Sequence, residues 1–141
     1  MIKQRLMPAG HWDWPVDTPF SQGWRVGDLV FVGGQIAAEG RSEVVGPGDI
    51  ETQTRLVFEN ITKVLDEAGA TWADVIKINT YYDFDGTGDE VEEFWRRLTK
   101  VRMEFLQDPG PCGTAVRVAG FMTSGLLIEV EVIAALNTTA S

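Results

Sequence analysis

The sequence has little of several residue types, and each shortage excludes a class of protein. Its single cysteine, Cys112, leaves no intrachain disulfide and favours a reducing compartment. No apolar run approaches the ~20 residues that span a bilayer, and the charged N-terminal residues carry no apolar stretch typical of a secretory signal. We therefore expect a cytoplasmic protein with no membrane partner.

Positive charge is also scarce. Lysine and arginine together number 12 against 21 aspartate and glutamate residues, which gives a net charge of -9. A nucleic-acid partner normally requires a basic face that neutralises phosphates. We therefore expect no nucleic-acid partner.

Histidine is nearly absent, which argues against a metal site. His11 is the only one, and with Asp13 it offers two ligands where a protein site normally has three or four. Both lie in an N-terminal arm, residues 1–18, that is rich in tryptophan and proline. Exposed tryptophans would lower solubility, so we expect the arm to pack on the core or on a neighbouring subunit.

The composition is that of an ordinary globular chain: 44% of the 141 residues are apolar and 23% are charged. The length predicts one domain, residues 1–141. Hydrophobic periodicity predicts the order β-β-α-β-α-β-β with a possible extra N-terminal strand. Both helices have a single apolar stripe, so we expect an α+β fold with two helices on one face of a mixed sheet.

Local signals set the expected element boundaries. Gly27-Asp28 predicts a hairpin turn, Asp49 an N-cap and Gly69 the end of the first helix. A strand is expected at 75–82, and a capping box at 87–90 should start a second helix with apolar residues from Val91 to Phe105. The last two strands, 114–119 and 126–136, are expected to pair as a hairpin.

The last strand alternates strictly. Leu126, Ile128, Val130, Val132 and Ala134 share one face, whereas Leu127, Glu129, Glu131 and Ile133 share the other. The second face is too apolar for solvent and too charged for a core. We therefore expect a subunit interface there, with a ligand cleft between chains. In a simple hairpin, Arg117 and Glu129 would be diagonal neighbours.

Several segments, in order, resemble the RidA/YjgF/UK114 family, formerly called L-PSP endoribonuclease. They are Pro19-Phe20-Ser21-Gln22-Gly23, residues 26–36, Gln53-Thr54-Arg55, Glu59-Asn60-Ile61, residues 65–70, Val75-Ile76-Lys77-Ile78 and residues 128–134. The resemblance implies a chorismate-mutase-like fold in a homotrimeric barrel with three interface clefts. It also implies hydrolysis of reactive enamines and imines, such as 2-aminoacrylate, without a metal or organic cofactor.

The resemblance also implies roles for individual residues. Glu129 corresponds to the glutamate that positions the attacking water, Phe20 to a cleft tyrosine and Gly33 to a cleft serine. The segment Pro111-Cys112-Gly113-Thr114 replaces Pro-Ala-Arg-Ser/Thr, so that Gly113 stands where the family has its carboxylate-binding arginine. Glu92 stands where an asparagine is common.

These departures leave alternatives open. The first hypothesis is a deaminase of altered specificity with Glu129 catalytic and Phe20, Gly33, Cys112, Gly113, Thr114 and Arg117 around its ligand. In it, Gly113 opens space for a bulkier or uncharged ligand. The second hypothesis is a non-catalytic small-molecule-binding trimer. A ribonuclease is disfavoured by the acidity and the single histidine.

Two of these residues have competing interpretations of their own. Arg117 either supplies a replacement guanidinium or forms a structural ion pair with Glu129 or Glu131. Cys112 is interpreted as a small hydrophobe rather than a nucleophile, because the sequence offers no nearby base to lower the pKa of its thiol.

Overall fold

Residues 2–136 are described by the computed structural model, and they form a mixed six-stranded sheet with two helices on one face. The strands are β1 Lys3–Leu6, β2 Gly23–Val26, β3 Leu29–Ile36, β4 Ala38–Glu39, β5 Glu43–Val44, β6 Val75–Tyr82, β7 Cys112–Arg117 and β8 Ile128–Ala135. The helices are α1 Ile50–Glu67 and α2 Asp89–Arg102, and a short 3₁₀ helix spans Trp72–Asp74. Across these residues, no helix is both long and apolar enough to cross a membrane.

The sheet has the strand order β1-β2-β3-β8-β6-β7, while β4 and β5 form a separate two-stranded ribbon. Every neighbouring pair is antiparallel except β6 and β7, which are parallel. Helix α1 contacts β3, β8 and α2. The α+β class and the placement of both helices on one face are confirmed.

The predicted hairpin of the last two strands is wrong. β7 pairs in parallel with β6, and β8 lies between β3 and β6. The reason is topological: α2 connects β6 to β7 as a crossover, and a helical crossover returns the chain parallel to the strand it left. β8 is buried along one whole face, so it lies inside the sheet, whereas all of β7 is exposed at the edge.

The N-terminal segment is ordered, as predicted. β1 extends the sheet beyond β2, and the hairpin between β2 and β3 turns at Gly27, whose φ of 60° lies in the left-handed region that favours glycine. Trp12 is 3% exposed and packs against Trp14 and Phe20. The arm therefore packs on the hydrophobic core through Trp12 and through Leu6, which is 0% exposed.

Helix α1 begins and ends as the sequence predicts. The side chain of Asp49 accepts hydrogen bonds from the backbone N–H groups of Glu51 and Thr52, at 3.1 and 3.2 Å. Gly69 follows the C-cap residue Ala68 with φ of 78°. The apolar stripe is buried against the sheet, which fixes the position of the helix; it consists of Val57, Phe58, Ile61, Val64 and Leu65.

The start of α2 differs from the prediction. Gly88 is the N-cap, and no side chain caps the helix, so the predicted capping box at 87–90 is absent. Asp89, Glu90 and Glu92 in the first turn favour this helix end instead, because carboxylates interact well with the positive end of the helix dipole. The helix ends at Arg102, and Phe105 beyond it packs against Phe58.

Gly113 lies where β6 and β7 approach each other closely. It pairs with Ile78, and a Cβ atom at position 113 would overlap the carbonyl oxygen of Ile78. The expectation that Gly113 opens space is therefore wrong. The backbone of the neighbouring strand occupies the place where a side chain would begin.

We predict that Gly113→Ala destabilises the protein by about 1–3 kcal/mol, because β7 must move away from Ile78 to admit a methyl group. Urea unfolding measures the change. Gly110→Ala is the matched control, since nothing lies within 4 Å of a Cβ atom there. Equal stability of the two variants would contradict the close approach of the strands.

Candidate functional site

A row of polar side chains crosses the face of the sheet that the helices leave open. Glu129 and Glu131 come from β8, and Asn79 and Tyr81 come from the adjacent β6, where they pair with these two residues. Alternation puts all four on the face opposite the buried Val130 and Val132. The predicted mixed face of β8 is confirmed.

Glu131 is held in place by two donors. The Tyr81 hydroxyl donates to its Oε1 at 2.9 Å, and Asn79 Nδ2 donates to the same oxygen at 3.1 Å. Asn79 Oδ1 in turn accepts the backbone N–H of Thr114 at 3.2 Å. The row is thus connected from β8 through β6 to the edge strand β7.

Glu129 has a different environment. Its carboxylate is half-buried over Gly34, where a Cβ atom would overlap Oε2. It makes no hydrogen bond within residues 2–136, and burial, assisted by the negative charge of Glu131, raises its pKa above the usual carboxyl range. Two adjacent carboxyl groups with such different surroundings are suited to different roles.

A β-bulge provides the space for Glu129. The pairing of β3 with β8 shifts by one residue between Val32 and Gln35, which places Gly33 and Gly34 in the bulge. The N–H of Gly33 donates to the Gln22 carbonyl at 2.8 Å. Any residue larger than glycine at position 34 would displace the carboxylate of Glu129.

Gln35 fixes the bulge from the buried side. Its Nε2 donates to the Gly33 carbonyl at 3.1 Å and to Gln22 Oε1 at 2.8 Å. Its Oε1 accepts the Trp12 indole N–H at 3.0 Å and lies 2.6 Å from His11 Nε2. The N-terminal arm thereby reaches the backbone under Glu129, because buried amides are held where all their partners are satisfied.

His11 is a structural residue in this arrangement. Burial lowers its pKa, which favours the neutral imidazole, and its Nε2 is engaged by Gln35. In the part of the chain that the structure describes, no group of three or more histidine, cysteine, aspartate or glutamate residues could hold a metal ion.

A shallow pocket of ≈ 330 Å³ lies along the open face beside the polar row. Glu131, Asn79 and Lys77 line one side and Gly33 another, and Trp24, Phe31 and Ile133 supply apolar surface. Glu129 lies next to this lining, two residues before Glu131 on the same face. The pocket offers both hydrogen-bonding groups and apolar contact to a small molecule.

The remaining predicted site residues lie in several places. Thr114 joins the polar row through Asn79, and Phe20 is half-buried among the tryptophans of the arm. Cys112 is exposed at the start of β7, where its thiol donates to the Ile76 carbonyl at 3.2 Å. Gly33 and Thr114 thus lie on the same face of the sheet as Glu129, but no contact between either of them and Glu129 is observed.

Arg117 and Gly113 lie on the other face of the sheet. Gly113 lines a cavity with Trp95 and Arg102 of α2, and alternation puts Arg117 on the same side. Arg117 donates to the Gly86 carbonyl at 2.9 Å, and no ion pair with either Glu129 or Glu131 forms in the described chain. The expected diagonal contact fails because β6 separates β7 from β8.

Several residues that shape these sites have no local signal that predicts their role. Tyr81 is predicted from its strand to pack and to form part of a cleft wall. Asn79 has no predicted role, although alternation puts it on the same face of the strand as Tyr81. Gln35 and Gly34 follow the Gly33 position in the sequence, yet nothing local reveals a bulge. Arg102 lies seven residues after Trp95, a spacing that puts both residues on the same face of the helix.

Comparisons with known proteins agree over nearly the whole chain. The family model for endoribonuclease L-PSP matches residues 14–136. A RutC family protein of Pyrococcus abyssi is 35% identical over 116 residues, which covers 82% of this chain and 85% of the relative. A 2-iminobutanoate/2-iminopropanoate deaminase of Dermatophagoides farinae is 30% identical over 123 residues, 84% of this chain and 87% of the relative.

A solved structure shows the same architecture. The crystal structure of RidA from an Antarctic Psychrobacter species superposes with a TM-score of 0.78 at 25% sequence identity. The superposition covers 94% of this chain and 99% of that one. The fold is therefore shared from end to end rather than through a common fragment.

We predict that Glu129→Gln stabilises the protein at neutral pH. The folded state raises the pKa of Glu129, so ionising this group costs stability as pH rises from the usual carboxyl range through the raised value. The amide never ionises, and the gain should vanish in acid, where Glu129 is protonated in both states. Thermal unfolding between acidic and neutral pH tests this, with the exposed Glu59→Gln as control. A pH-independent difference would rule out ionisation as the cause.

Proposed function

Because the chain belongs to the RidA/YjgF family, whose model is described as endoribonuclease L-PSP, we propose that it hydrolyses a small reactive enamine or imine to a carbonyl compound and ammonia. The observation that carries the proposal is Glu129. Its carboxyl group has a raised pKa, no hydrogen-bond partner within residues 2–136 and a position over Gly34 beside a pocket. A raised pKa makes the neutral form of a carboxyl group more available as a proton donor, which favours general acid–base catalysis.

The proposed reaction needs only water and this one acid–base group. Neutral Glu129 gives its proton to the imine nitrogen while water adds to the imine carbon. The carboxylate then takes a proton from the added water and returns it to the nitrogen. The C–N bond breaks and ammonia leaves. As the C=O bond forms, the remaining hydroxyl proton passes to the carboxylate, so Glu129 ends protonated as it began. Positioning both partners supplies much of the rate enhancement.

The glycine at position 113 sets the proposed specificity. The resemblance places a carboxylate-binding arginine there, and this chain has neither the guanidinium nor room for a side chain. A lost bidentate contact of this kind costs on the order of 2–5 kcal/mol of binding. We therefore propose imines without a carboxylate as better substrates than imino acids.

We further propose a homotrimer, in the cytoplasm, with the ligand cleft at the subunit interface. The open face is unusually apolar, since Trp24, Phe31 and Val116 are 38%, 41% and 41% exposed. Trp24 and Phe31 are paired neighbours on β2 and β3, and exposed apolar neighbours of this kind are typical of a surface that another subunit covers. The polar row would then lie in a crevice between chains rather than on an open surface.

A non-catalytic small-molecule binder is the second candidate. The observation in its favour is again Gly113, because the close approach of Ile78 keeps any side chain from reaching a substrate there. A ribonuclease is less consistent with the site, because the neutral, Gln35-bound His11 is the only histidine.

We predict that Glu129→Gln lowers kcat/KM for ammonia release by roughly 100-fold or more, because the amide cannot transfer a proton. Ammonia release from freshly generated imines, with and without a carboxylate, measures this. Glu59→Gln on the exposed surface of α1 should match wild type.

The outcomes separate the two candidates. Equal turnover by wild type and Glu129→Gln on every imine would exclude the enzyme. Thermal stabilisation by a small molecule, without turnover, would then favour the binder.

We also predict that Phe31→Glu dissociates the trimer, because a charge would be buried in an apolar interface. Sedimentation equilibrium should give three times the chain mass for wild type and the single chain mass for the variant. Glu59→Gln, a substitution on the exposed surface of α1, is the control and should have the same oligomeric state as wild type. A monomeric wild-type protein would contradict the proposed interface.

A further inference from the structure

Arg102, in the last turn of α2, differs from the other arginines of the chain. Each of the others donates at least one hydrogen bond; they are Arg5, Arg25, Arg41, Arg55, Arg96, Arg97 and Arg117. The guanidinium of Arg102 has no hydrogen bond and no ion pair to any residue from 2 to 136. Its five N–H donors are therefore available to a ligand.

Leaving this guanidinium without a partner costs free energy, because the group is partly removed from water. Arg102 is half-buried, and removal from water lowers the pKa of its guanidinium, although the group stays charged. A cation in a partly dry site without an acceptor carries a desolvation cost that a bound anion would offset. On a chain with a net charge of -9, an unpaired arginine is notable because carboxylates are abundant.

Arg102 lines a cavity of ≈ 190 Å³ between α2 and the start of β7. Trp95, Ile78, Pro111 and Ala115 supply apolar lining, and Thr80 supplies a polar group. Within residues 2–136, no acidic residue lines this cavity. It lies on the helix side of the sheet, whereas Glu129 lies on the open side, so it is separate from the proposed catalytic row.

The lining selects the kind of anion. A planar guanidinium matches the two oxygens of a carboxylate, which it binds through two parallel hydrogen bonds. Apolar walls favour a ligand with a hydrocarbon part over a fully hydrated inorganic ion. The volume limits that part to a few carbon atoms. We propose that this cavity binds a small organic monocarboxylate, with Arg102 as its anchor.

Asp108 is the internal competitor for this arginine. It lines an adjoining cavity that Arg102 also borders, but it forms no ion pair with Arg102 within 4.0 Å in the described chain. If Asp108 paired with Arg102 in solution, removal of its charge would free the guanidinium. Asp108→Asn should therefore leave carboxylate binding unchanged or strengthen it, and it should not reduce stability.

The test uses propionate as the probe and propionamide as its uncharged isostere. NMR titration follows the indole N–H of Trp95, which lines the cavity, in wild type, Arg102→Gln and Arg96→Gln. Arg96 is the matched control, because it lies on the same helix with its own partners Glu92 and Glu93. Inorganic phosphate is titrated separately.

We expect saturable binding of propionate to wild type and to Arg96→Gln, and at least about tenfold weaker binding to Arg102→Gln, because a charge-assisted contact is lost. Arg102→Lys, which keeps the charge but not the fork, should bind with intermediate affinity. Thermal unfolding shows whether each variant is folded. If Arg102→Gln does not fold, the comparison of Arg102→Lys with wild type still tests the proposal.

Four results would overturn the proposal. They are no response of Trp95 to propionate, equal binding by Arg102→Gln, equal binding of propionamide, and tighter binding of phosphate than of propionate. None depends on turnover of an imine, so this proposal and the proposed enzyme activity stand or fall separately.

Discussion

The strict alternation of β8 is the constraint on which the rest of the structure depends. Ile128, Val130 and Val132 are buried at 0%, 0% and 2% exposure, and they form the floor on which α1 packs. The residues between them, Glu129 and Glu131, must then face the opposite way. A shift of one residue in register would bury both carboxylates under the helices, so the core and the polar row are fixed by the same pairing.

The two glutamates share a strand face and yet meet different chemistry. Glu131 is bound by Tyr81 and Asn79, whereas Glu129 lies over Gly34 at a β-bulge. The bulge is itself held by Gln35, which joins the arm, through Trp12, to the carbonyl of Gly33. The N-terminal arm therefore supports the position of Glu129 although it lies far from it in sequence.

The two faces of the sheet offer two different environments for ligands. The open face carries carboxylates beside a shallow pocket with polar and apolar lining. The helix side carries a small cavity lined by Arg102, which has no partner and no acidic neighbour in that lining among residues 2–136, and this environment suits an anion. The sheet separates the two, and at its edge the backbones of Gly113 and Ile78 approach too closely for a side chain at position 113.

The sequence by itself determined the α+β class, the caps of α1, the strand Val75–Tyr82 and the face on which Glu129 lies, because these follow from local periodicity and capping. Only the tertiary structure decided which strands are neighbours. The crossover through α2 put β7 beside β6, which removed Arg117 from Glu129 and placed Gly113 against Ile78. Contacts between distant segments cannot be predicted from local patterns, because the residues next to one partner in the sequence do not determine which distant residue it meets. Examples are the contact of Gln35 with His11 and the position of Arg102 at its cavity.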